Sequence, residues 1–228
     1  MTAHRDIFGR IEEKMKKVLI FGDSNSWGYI PAKGERYPPD VRWPGIASKI
    51  LGDGYELVED SISGRTTVYE DPQEPKRCGI DCLGYVLAAH HPLDLVVLFL
   101  GTNDLKFTDI GGYRMGLTRL IETVLDAQAL FRLTAPVFNG DKRLLVVGPP
   151  RINPEIARLR PEHRLSGAAD ASEKLSGVAR EVAERFGASF VDVSALVFPD
   201  ATDCLHLSRE DHRKLGHTIA DAIKRVFA

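Results

Sequence analysis

The chain has 228 residues, of which 43% are hydrophobic and 27% charged, and its formal net charge is −2. A charge so close to zero gives no bulk attraction to nucleic acid or to an anionic membrane, so neither is predicted as a partner. No apolar run approaches the roughly 20 residues that span a membrane. The N-terminal 17 residues also lack the apolar core of a secretory signal, so we expect a cytoplasmic protein.

The cysteine content also favours a reducing compartment. Cys78, Cys82 and Cys204 are odd in number and do not belong to a short, disulfide-rich chain. Because Cys78 and Cys82 precede His90 and His91, a zinc site is an alternative. All four residues lie in one predicted helix and its approach, where thiols usually pack as small hydrophobic groups, so no metal is predicted.

Five short apolar runs predict five β-strands. Each run is continuous rather than alternating, which is typical of strands that are covered on both faces, as in a parallel sheet. In chain order, the runs are residues 18–21, 55–58, 95–100, 144–147 and 190–193.

Helical spacing of apolar residues appears between and after these runs. It is clear over residues 117–125 and 175–186, and Gly187 is placed to end the second of these helices. The last helix is predicted to begin after Ser208, because Asp211 three residues later completes a pattern that resembles a capping box.

This alternation predicts a three-layer α/β/α, flavodoxin-like sandwich with a five-stranded parallel sheet. We expect a single domain over residues 15–228, preceded by an N-terminal extension of residues 1–14 whose role the sequence leaves open. Two irregular stretches, 29–42 and 149–164, are long for loops within one domain, and such loops are often functional. The arginines of the second stretch are interpreted as a solvated or interface surface.

Polar residues follow four of the five predicted strands. They are GDS at 22–24, DSISGR at 60–65, GTND at 101–104 and DCLH at 203–206. Ligands of open parallel sheets bind outside the carboxyl ends of the strands, so these groups are expected to converge. Together they contain the parts of an acyl-transfer site: a nucleophile, a base, a carboxylate that orients the base, and donors for an oxyanion.

Ser24 is the candidate nucleophile and His206 the candidate base. Asp203 lies three residues before His206, a spacing that lets a turn bring its carboxylate to the imidazole Nδ1–H. The side-chain amide of Asn103 and the backbone N–H groups of Gly64 and Ser24 are the candidate oxyanion hole. An ordinary turn serine is the alternative for Ser24, but that role leaves the other three motifs unexplained.

These motifs resemble those of the SGNH hydrolases, also called the GDSL esterase/lipase family, and they occur in that family's order. The segments GDSNSWG, RYPPDVRWPG, GRTT and DCLHLS are similar to its arylesterase/acyltransferase branch. The resemblance implies a serine esterase with a small-molecule ester substrate, in which acetyl or other short acyl groups are carried by aryl alcohols or carbohydrates. It also implies that no cofactor is required and that the protein is a homo-oligomer. Asn25 departs from the family pattern, which has leucine after the nucleophile.

Five residues are candidates for the substrate pocket, because ligand pockets are mostly apolar with a few polar groups. They are Asn25, Trp27, Tyr29, Trp43 and Arg65. Packing in the core or at a subunit contact is an equal alternative for the aromatic residues, and anchoring of its own loop is the alternative for Arg65.

Two other functions are left open. An acyltransferase would pass the acyl group to an alcohol or sugar hydroxyl instead of water, and product partition in mixed water and alcohol discriminates the two reactions. A non-catalytic, nucleotide-binding module of the flavodoxin-like type is a remote alternative. The chain carries neither of the glycine-rich phosphate-binding motifs that would favour it.

Overall fold

The computed structural model describes residues 15–228, and the predicted N-terminal extension, residues 1–14, lies outside the described part of the chain. Within that part, five strands form a parallel sheet with the order β2-β1-β3-β4-β5. They are β1 (Lys16–Gly22), β2 (Tyr55–Ser61), β3 (Leu95–Phe99), β4 (Leu144–Gly148) and β5 (Ser189–Asp192). Each strand overlaps one predicted apolar run and the order is flavodoxin-like, so the predicted fold class is confirmed.

Helices connect the strands and cover both faces of the sheet. Those of the described residues are α1 (Ser24–Trp27), α2 (Trp43–Leu51), α3 (Gly79–His90), α4 (Ile110–Leu130), α5 (Ile156–Leu159), α6 (Ala169–Ser172), α7 (Leu175–Arg185) and α8 (Arg209–Val226). Two 3₁₀ turns lie at Gly52–Gly54 and Thr102–Lys106. Across residues 15–228, no helix is both long enough and apolar enough to cross a membrane.

Alternate residues of the strands pack on opposite faces of the sheet, which produces two core layers. In β1, Leu19 and Phe21 pack with side chains of α3, α4 and α7, whereas Val18 and Ile20 pack with those of α2 and α8. All four are fully buried. Burial of a side chain of this size contributes about 1.5–3 kcal/mol. The continuous apolar run of β1 therefore packs against helices on both faces of the sheet and holds the three layers together.

The ends of two predicted helices form as their sequences indicate. The Ser208 hydroxyl accepts a hydrogen bond from the N–H of Asp211 at 3.2 Å and caps α8. Gly187 adopts a φ of +65° after α7. The N–H groups of Gly187 and Ala188 then bond to carbonyls of the last helical turn, which ends the helix in a Schellman motif.

Helix α2 lies directly against α8 because glycine stands at their contact. A Cβ at Gly216 of α8 would lie 2.5 Å from Cγ2 of Ile46 in α2. Beside this contact, the backbone N–H of Trp43 donates to Nδ1 of the buried His212 at 3.3 Å. Burial lowers the pKa of His212 to about 4, so its imidazole is neutral near pH 7 and can act as this acceptor.

Candidate active site

The four groups of polar residues meet at the carboxyl edge of the sheet, as their strand-end positions predict. Ser24 follows β1, Gly64 follows β2, and Asn103 lies in the 3₁₀ turn after β3. Asp203 and His206 come from the segment that leads into α8. All five residues line one cavity of about 420 Å³. Strands β1 and β3 are neighbours whose connections leave in opposite directions along the sheet, and open α/β sheets bind ligands at such a switch point.

Ser24 is the first residue of α1, at a turn that its neighbour Asp23 organises. The Asp23 carboxylate accepts a hydrogen bond from the N–H of Asn25 at 3.0 Å and caps the short helix. Asp23 is itself buried. Burial raises the pKa of its carboxyl to about 6, although the Asn25 hydrogen bond and the nearby His206 oppose this shift. The cap holds Ser24 at the point where the chain leaves the sheet.

A continuous line of hydrogen bonds joins Ser24 to Asp203 through His206. Ser24 Oγ lies 3.0 Å from Nε2 of His206, and Nδ1 of His206 lies 2.8 Å from Oδ2 of Asp203. An ionised carboxylate can only accept hydrogen bonds, so Nδ1 carries the proton and Nε2 remains an acceptor for the serine hydroxyl. In this protonation state the imidazole is able to take up the serine proton.

The carboxylate of Asp203 is buried and fully engaged in hydrogen bonds. Its Oδ1 accepts from the N–H groups of Leu205 and His206 at 3.0 and 2.9 Å. Its Oδ2 accepts from the N–H of Ala32 at 2.9 Å as well as from the imidazole. Burial alone raises the pKa of Asp203, but the hydrogen bond and charge of His206 and the backbone donors outweigh it. The pKa is therefore held well below its ordinary value, and the carboxylate stays ionised.

Gly64 and Asn103 supply candidate donors on the wall of the same cavity. Gly64 has a φ of +80°, and a Cβ there would lie 2.7 Å from Oε2 of Glu74, so the loop requires glycine. The Asn103 amide donates one hydrogen to the carbonyl of Arg65 at 3.2 Å, which leaves the second hydrogen for a ligand. Within the described part of the chain, the N–H groups of Ser24 and Gly64 donate to no backbone carbonyl. They are therefore free to donate to a ligand.

The 3₁₀ turn that carries Asn103 is fixed by the buried carboxylate of the next residue. Asp104 accepts hydrogen bonds from both the N–H and the hydroxyl of Thr67, in the loop after β2. The pKa of Asp104 is raised to about 7. Burial is the main cause and the nearby Asp23 carboxylate adds to it, whereas the two hydrogen bonds from Thr67 lower the pKa. The loops that carry Asn103 and Gly64 are thus tied to each other.

Charged side chains form much of the remaining wall. Lys106 donates to Glu74 at 3.0 Å and lies 3.7 Å from the buried carboxylate of Asp71. Arg160 and His163, from the loop after β4, also line the cavity. Burial lowers the pKa of His163, and the charges of Arg160 and Lys106 lower it further. The cavity therefore presents hydrogen-bonding groups rather than a continuous apolar surface.

Two of the five predicted pocket residues line this cavity. Tyr29 stacks on the imidazole of His206, with ring centroids 4.0 Å apart and planes at 25°. Asn25 is buried beside Ser24, and its side-chain amide donates to the carbonyl of Leu205 at 3.3 Å.

The two predicted tryptophans do not line the cavity, and their predicted role is corrected. Trp43 is fully buried in the core layer between the sheet and α8, with its ring 6.2 Å from that of Phe99. Its place at the start of α2 directs it to the face of the sheet rather than to the edge. Trp27 packs against Arg36, whose guanidinium lies 5.4 Å from the indole ring. Core packing, the alternative, is therefore correct for Trp43.

The predicted pocket role of Arg65 is likewise corrected, because its side chain anchors its own loop. Its guanidinium donates to the backbone carbonyls of Gly22 and Asp60 at 3.3 and 2.7 Å and to the Asp60 carboxylate at 3.0 Å. It also lies over the ring of Phe21, 4.0 Å from the centroid. Arg65 is buried and absent from the cavity wall.

Sequence reasoning missed much of the polar wall. The length of stretch 149–164 indicated a functional loop, but Arg160 was interpreted as solvated and His163 was not singled out. Ser63 and Thr102 also line the cavity. Their position directly before the two motif residues of the predicted oxyanion hole was the signal that could have found them.

A possible group of metal ligands lies elsewhere. Among the described residues, Glu70, Cys78 and Asp81 place ligand atoms within 4.8 Å of one another. The two carboxylates are exposed, and none of the three residues lines the cavity.

Solved structures of two esterases are similar to the chain over nearly its whole length. The native aryl esterase of M. smegmatis is 32% identical, with a TM-score of 0.84 over 92% of this chain and 99% of that one. Est24, a carbohydrate acetylesterase from Sinorhizobium meliloti, is 35% identical, with a TM-score of 0.84 over 93% of this chain and 100% of that one. A lipase/acylhydrolase from Enterococcus faecalis, 21% identical with a TM-score of 0.68 over 92% of this chain and 96% of that one, shares the fold.

Family membership follows from the sequence match. A comparison with curated proteins gave no match. Residues 20–214, most of the chain, match the GDSL-like lipase/acylhydrolase family. The chain therefore belongs to the GDSL-like lipase/acylhydrolase family, and the function that these likenesses support is that of an ester hydrolase.

Proposed function

We propose that the protein is a serine esterase that hydrolyses short-chain esters, acetates above all, through an acyl-enzyme on Ser24. The observation that carries this proposal is the line of hydrogen bonds from Ser24 through His206 to Asp203, with distances of 3.0 and 2.8 Å. An imidazole that accepts from a hydroxyl and donates to an ionised carboxylate is the arrangement that activates a serine.

In the first half of the reaction, Ser24 Oγ attacks the ester carbonyl carbon while Nε2 of His206 takes the serine proton. The carbonyl oxygen becomes an oxyanion, which the N–H groups of Ser24 and Gly64 and the free hydrogen of the Asn103 amide bind. When the intermediate collapses, the bond to the alcohol breaks and His206 gives its proton to the leaving oxygen. Asp203 stays ionised and stabilises the imidazolium.

In the second half, water replaces the alcohol at the same position. His206 takes a proton from the water as its oxygen attacks the acyl carbon, and returns a proton to Ser24 Oγ when the carboxylic acid leaves. No cofactor enters either half. The donors that bind the first oxyanion bind the second, so one site serves both steps.

The preference for short acyl groups is proposed from the size and lining of the cavity. A cavity of about 420 Å³ lies near the lower end of the range for small-molecule sites. Its wall holds charged and hydrogen-bonding side chains, which do not favour a long hydrocarbon chain. The similar aryl esterase and the similar carbohydrate acetylesterase support small alcohols as leaving groups.

Substitution of the nucleophile tests the proposal. We expect Ser24→Ala to abolish hydrolysis of 4-nitrophenyl acetate, with a loss in kcat of at least about 10³-fold, because no acyl-enzyme can form. Ser26→Ala is the matched control, since Ser26 lies in the same helix but does not line the cavity. Circular dichroism establishes that both variants are folded. A folded Ser24→Ala protein with wild-type turnover would contradict the proposal.

A further inference from the structure

The wall of the active-site cavity contains an arginine that has no carboxylate partner. The stretch 149–164, after β4, carries four arginines, and three of them form ion pairs. These pairs are Arg151 with Glu173 at 3.7 Å, Arg158 with Glu155 at 2.6 Å, and Arg164 with Asp71 at 2.8 Å. The guanidinium of the fourth, Arg160, forms no ion pair or hydrogen bond within residues 15–228. Of the four, Arg160 is the one that lines the cavity.

The guanidinium of Arg160 is accessible to a ligand. Arg160 is half-buried, and none of its side-chain nitrogens is among the unpartnered polar atoms that the protein encloses. These nitrogens are therefore open to solvent. Arg160 also borders the same cavity, of about 420 Å³, as Ser24 and His206. A substrate whose ester lies at Ser24 can thus place another of its groups against this cation.

His163 supplies a second accessible donor in the same wall. Its Nδ1 accepts from the N–H of Leu165 at 3.1 Å, so the proton of the neutral ring lies on Nε2. Nε2 has no hydrogen-bond partner among the described residues and is not enclosed by them. Burial lowers the pKa of His163, and the charges of Arg160 and Lys106 lower it further, so the ring lies in a region of positive potential.

The carboxylates of the cavity wall do not neutralise Arg160. Among the described residues, two carboxylates line the cavity, and both have other partners. Asp203 is held by the imidazole described above, and Glu74 pairs with Lys106 and Arg77 at 3.0 and 2.8 Å. The charge of Arg160 is therefore unmatched within the cavity, where an anionic group of a ligand would neutralise it.

The segment that carries Arg160 is fixed against the segment that carries the base. Ile156 and Leu165, on either side of Arg160 in sequence, are buried in a small hydrophobic cluster with Leu205, the residue before His206. The N–H of Arg160 donates to the carbonyl of Ile156 at 2.8 Å, at the end of α5. The backbone around the guanidinium is thus in place before a ligand arrives, which lowers the entropic cost of binding.

We propose that the substrate is a small ester that also carries an anionic group, a carboxylate above all, and that Arg160 binds this group while His163 donates a further hydrogen bond to it. This inference rests on the proposed function and adds the charge of the substrate to it. A planar guanidinium binds a carboxylate through two parallel hydrogen bonds, and such charge-assisted bonds are about twice as strong as neutral ones. A neutral ester leaves the same guanidinium without an anionic partner.

Two matched pairs of esters test the proposal and identify the part of the substrate that carries the anion. 4-Acetoxybenzoate and 4-acetoxybenzamide differ in charge on the alcohol, whereas monomethyl succinate and methyl succinamate differ in charge on the acyl group. We expect the wild-type enzyme to favour the charged member of at least one pair by about tenfold or more in kcat/KM. The pair that shows the preference indicates whether the anion belongs to the alcohol or to the acyl group.

Substitution of the arginine tests its role in this preference. In Arg160→Gln, the ratio of kcat/KM for the charged ester to that for the neutral ester is expected to fall by about tenfold or more, because the new side chain carries no charge. Arg158→Gln is the matched control, since it removes the same charge from the same stretch, but Arg158 pairs with Glu155 and does not line the cavity. Its ratio is expected to equal that of the wild type.

The absence of a preference for the charged ester in both pairs overturns the proposal, and this result needs no variant. A ratio unchanged in folded Arg160→Gln also overturns it, as does an equal fall in Arg158→Gln, which would assign the effect to the overall charge of the protein. Ser24-dependent hydrolysis of 4-nitrophenyl acetate reports on the proposed function alone. An enzyme that keeps this activity but ignores the charge of the ester retains the proposed function and refutes only the inference.

Discussion

At the residue scale, the position of His206 depends on a loop distant from it in sequence. The loop after α1 brings Tyr29 against one face of the imidazole, with ring centroids 4.0 Å apart. The same loop turns Ala32 into the left-handed region, with φ of +58°, and directs its N–H to Oδ2 of Asp203 at 2.9 Å. The imidazole is thus held by a hydrogen bond along its plane and by a ring across its face.

A substitution of Tyr29 tests this positioning role. Stacked aromatic pairs contribute about 0.5–1.5 kcal/mol, so we expect Tyr29→Leu to lower kcat by roughly 2- to 10-fold. Tyr29→Phe keeps the ring and is expected to restore most of that loss. Steady-state kinetics with 4-nitrophenyl acetate separate kcat from KM. If the leucine variant raises KM and leaves kcat unchanged, Tyr29 only contacts substrate and does not position His206.

At the element scale, the sequence predicts regular structure where one physical pattern dominates. The five strands could be predicted because each apolar run faces helices on both sides. Helix α2 was not predicted, because its short sequence WPGIASKIL has proline and glycine in the first turn. Its N-terminus and its face are set by the contact with α8, more than 160 positions away, which no local pattern encodes.

The glycine at this helix contact gives a stability prediction with an internal control. A Cβ at Gly216 would lie 2.5 Å from Ile46 Cγ2, so we expect Gly216→Ala to lower the free energy of unfolding by about 1–3 kcal/mol. A Cβ at Gly177, in α7, meets no atom within 4 Å. Gly177→Ala is therefore expected to raise the free energy of unfolding by up to about 1 kcal/mol. Urea unfolding measures the free energy of unfolding of each variant. An equal change in the two variants would show that α2 and α8 tolerate separation.

The same contact predicts a pH-dependent loss of stability. The pKa of buried His212 is lowered to about 4 from an ordinary value of 6.5, so the unfolded state binds the proton first. The free energy of unfolding therefore falls as pH drops from about 6.5 to 4, by about 3 kcal/mol from this group. In His212→Asn, the acceptor for Trp43 is kept but does not titrate, and most of this loss should disappear.

Urea unfolding of the wild type and of His212→Asn, each at pH 6.5 and pH 4, measures how much stability each protein loses in acid. Asp23 and Asp104 have pKa values raised to about 6 and 7, so their effect on the free energy of unfolding changes with pH in the direction opposite to that of His212. Their contribution to the free energy of unfolding is present at low pH and is lost as pH rises through about 4 to 7. Both proteins contain these carboxyls, so their contribution cancels in the comparison. An identical acid-induced loss in the two proteins would contradict the assignment to His212.

At the scale of the whole molecule, the site is assembled from segments that only the fold brings together. The strand-end motifs could be placed on one edge because parallel strands all end there. The polar wall could not be predicted, because the path of an irregular loop depends on contacts such as the ion pair of Arg164 with the buried Asp71, at 2.8 Å. That pair joins the loops after β4 and β2.

That the protein forms a homo-oligomer stays a prediction.

The central claim is that Ser24 becomes acylated during turnover. The most direct measurement is mass spectrometry of peptides from enzyme quenched in acid within milliseconds of mixing with 4-nitrophenyl acetate. The expected result is one acetyl group on the peptide that contains Ser24, formed in the wild type and in Ser26→Ala but not in Ser24→Ala. An acetyl group on another residue, or rapid turnover by a folded Ser24→Ala protein with no acetylated peptide, would contradict it.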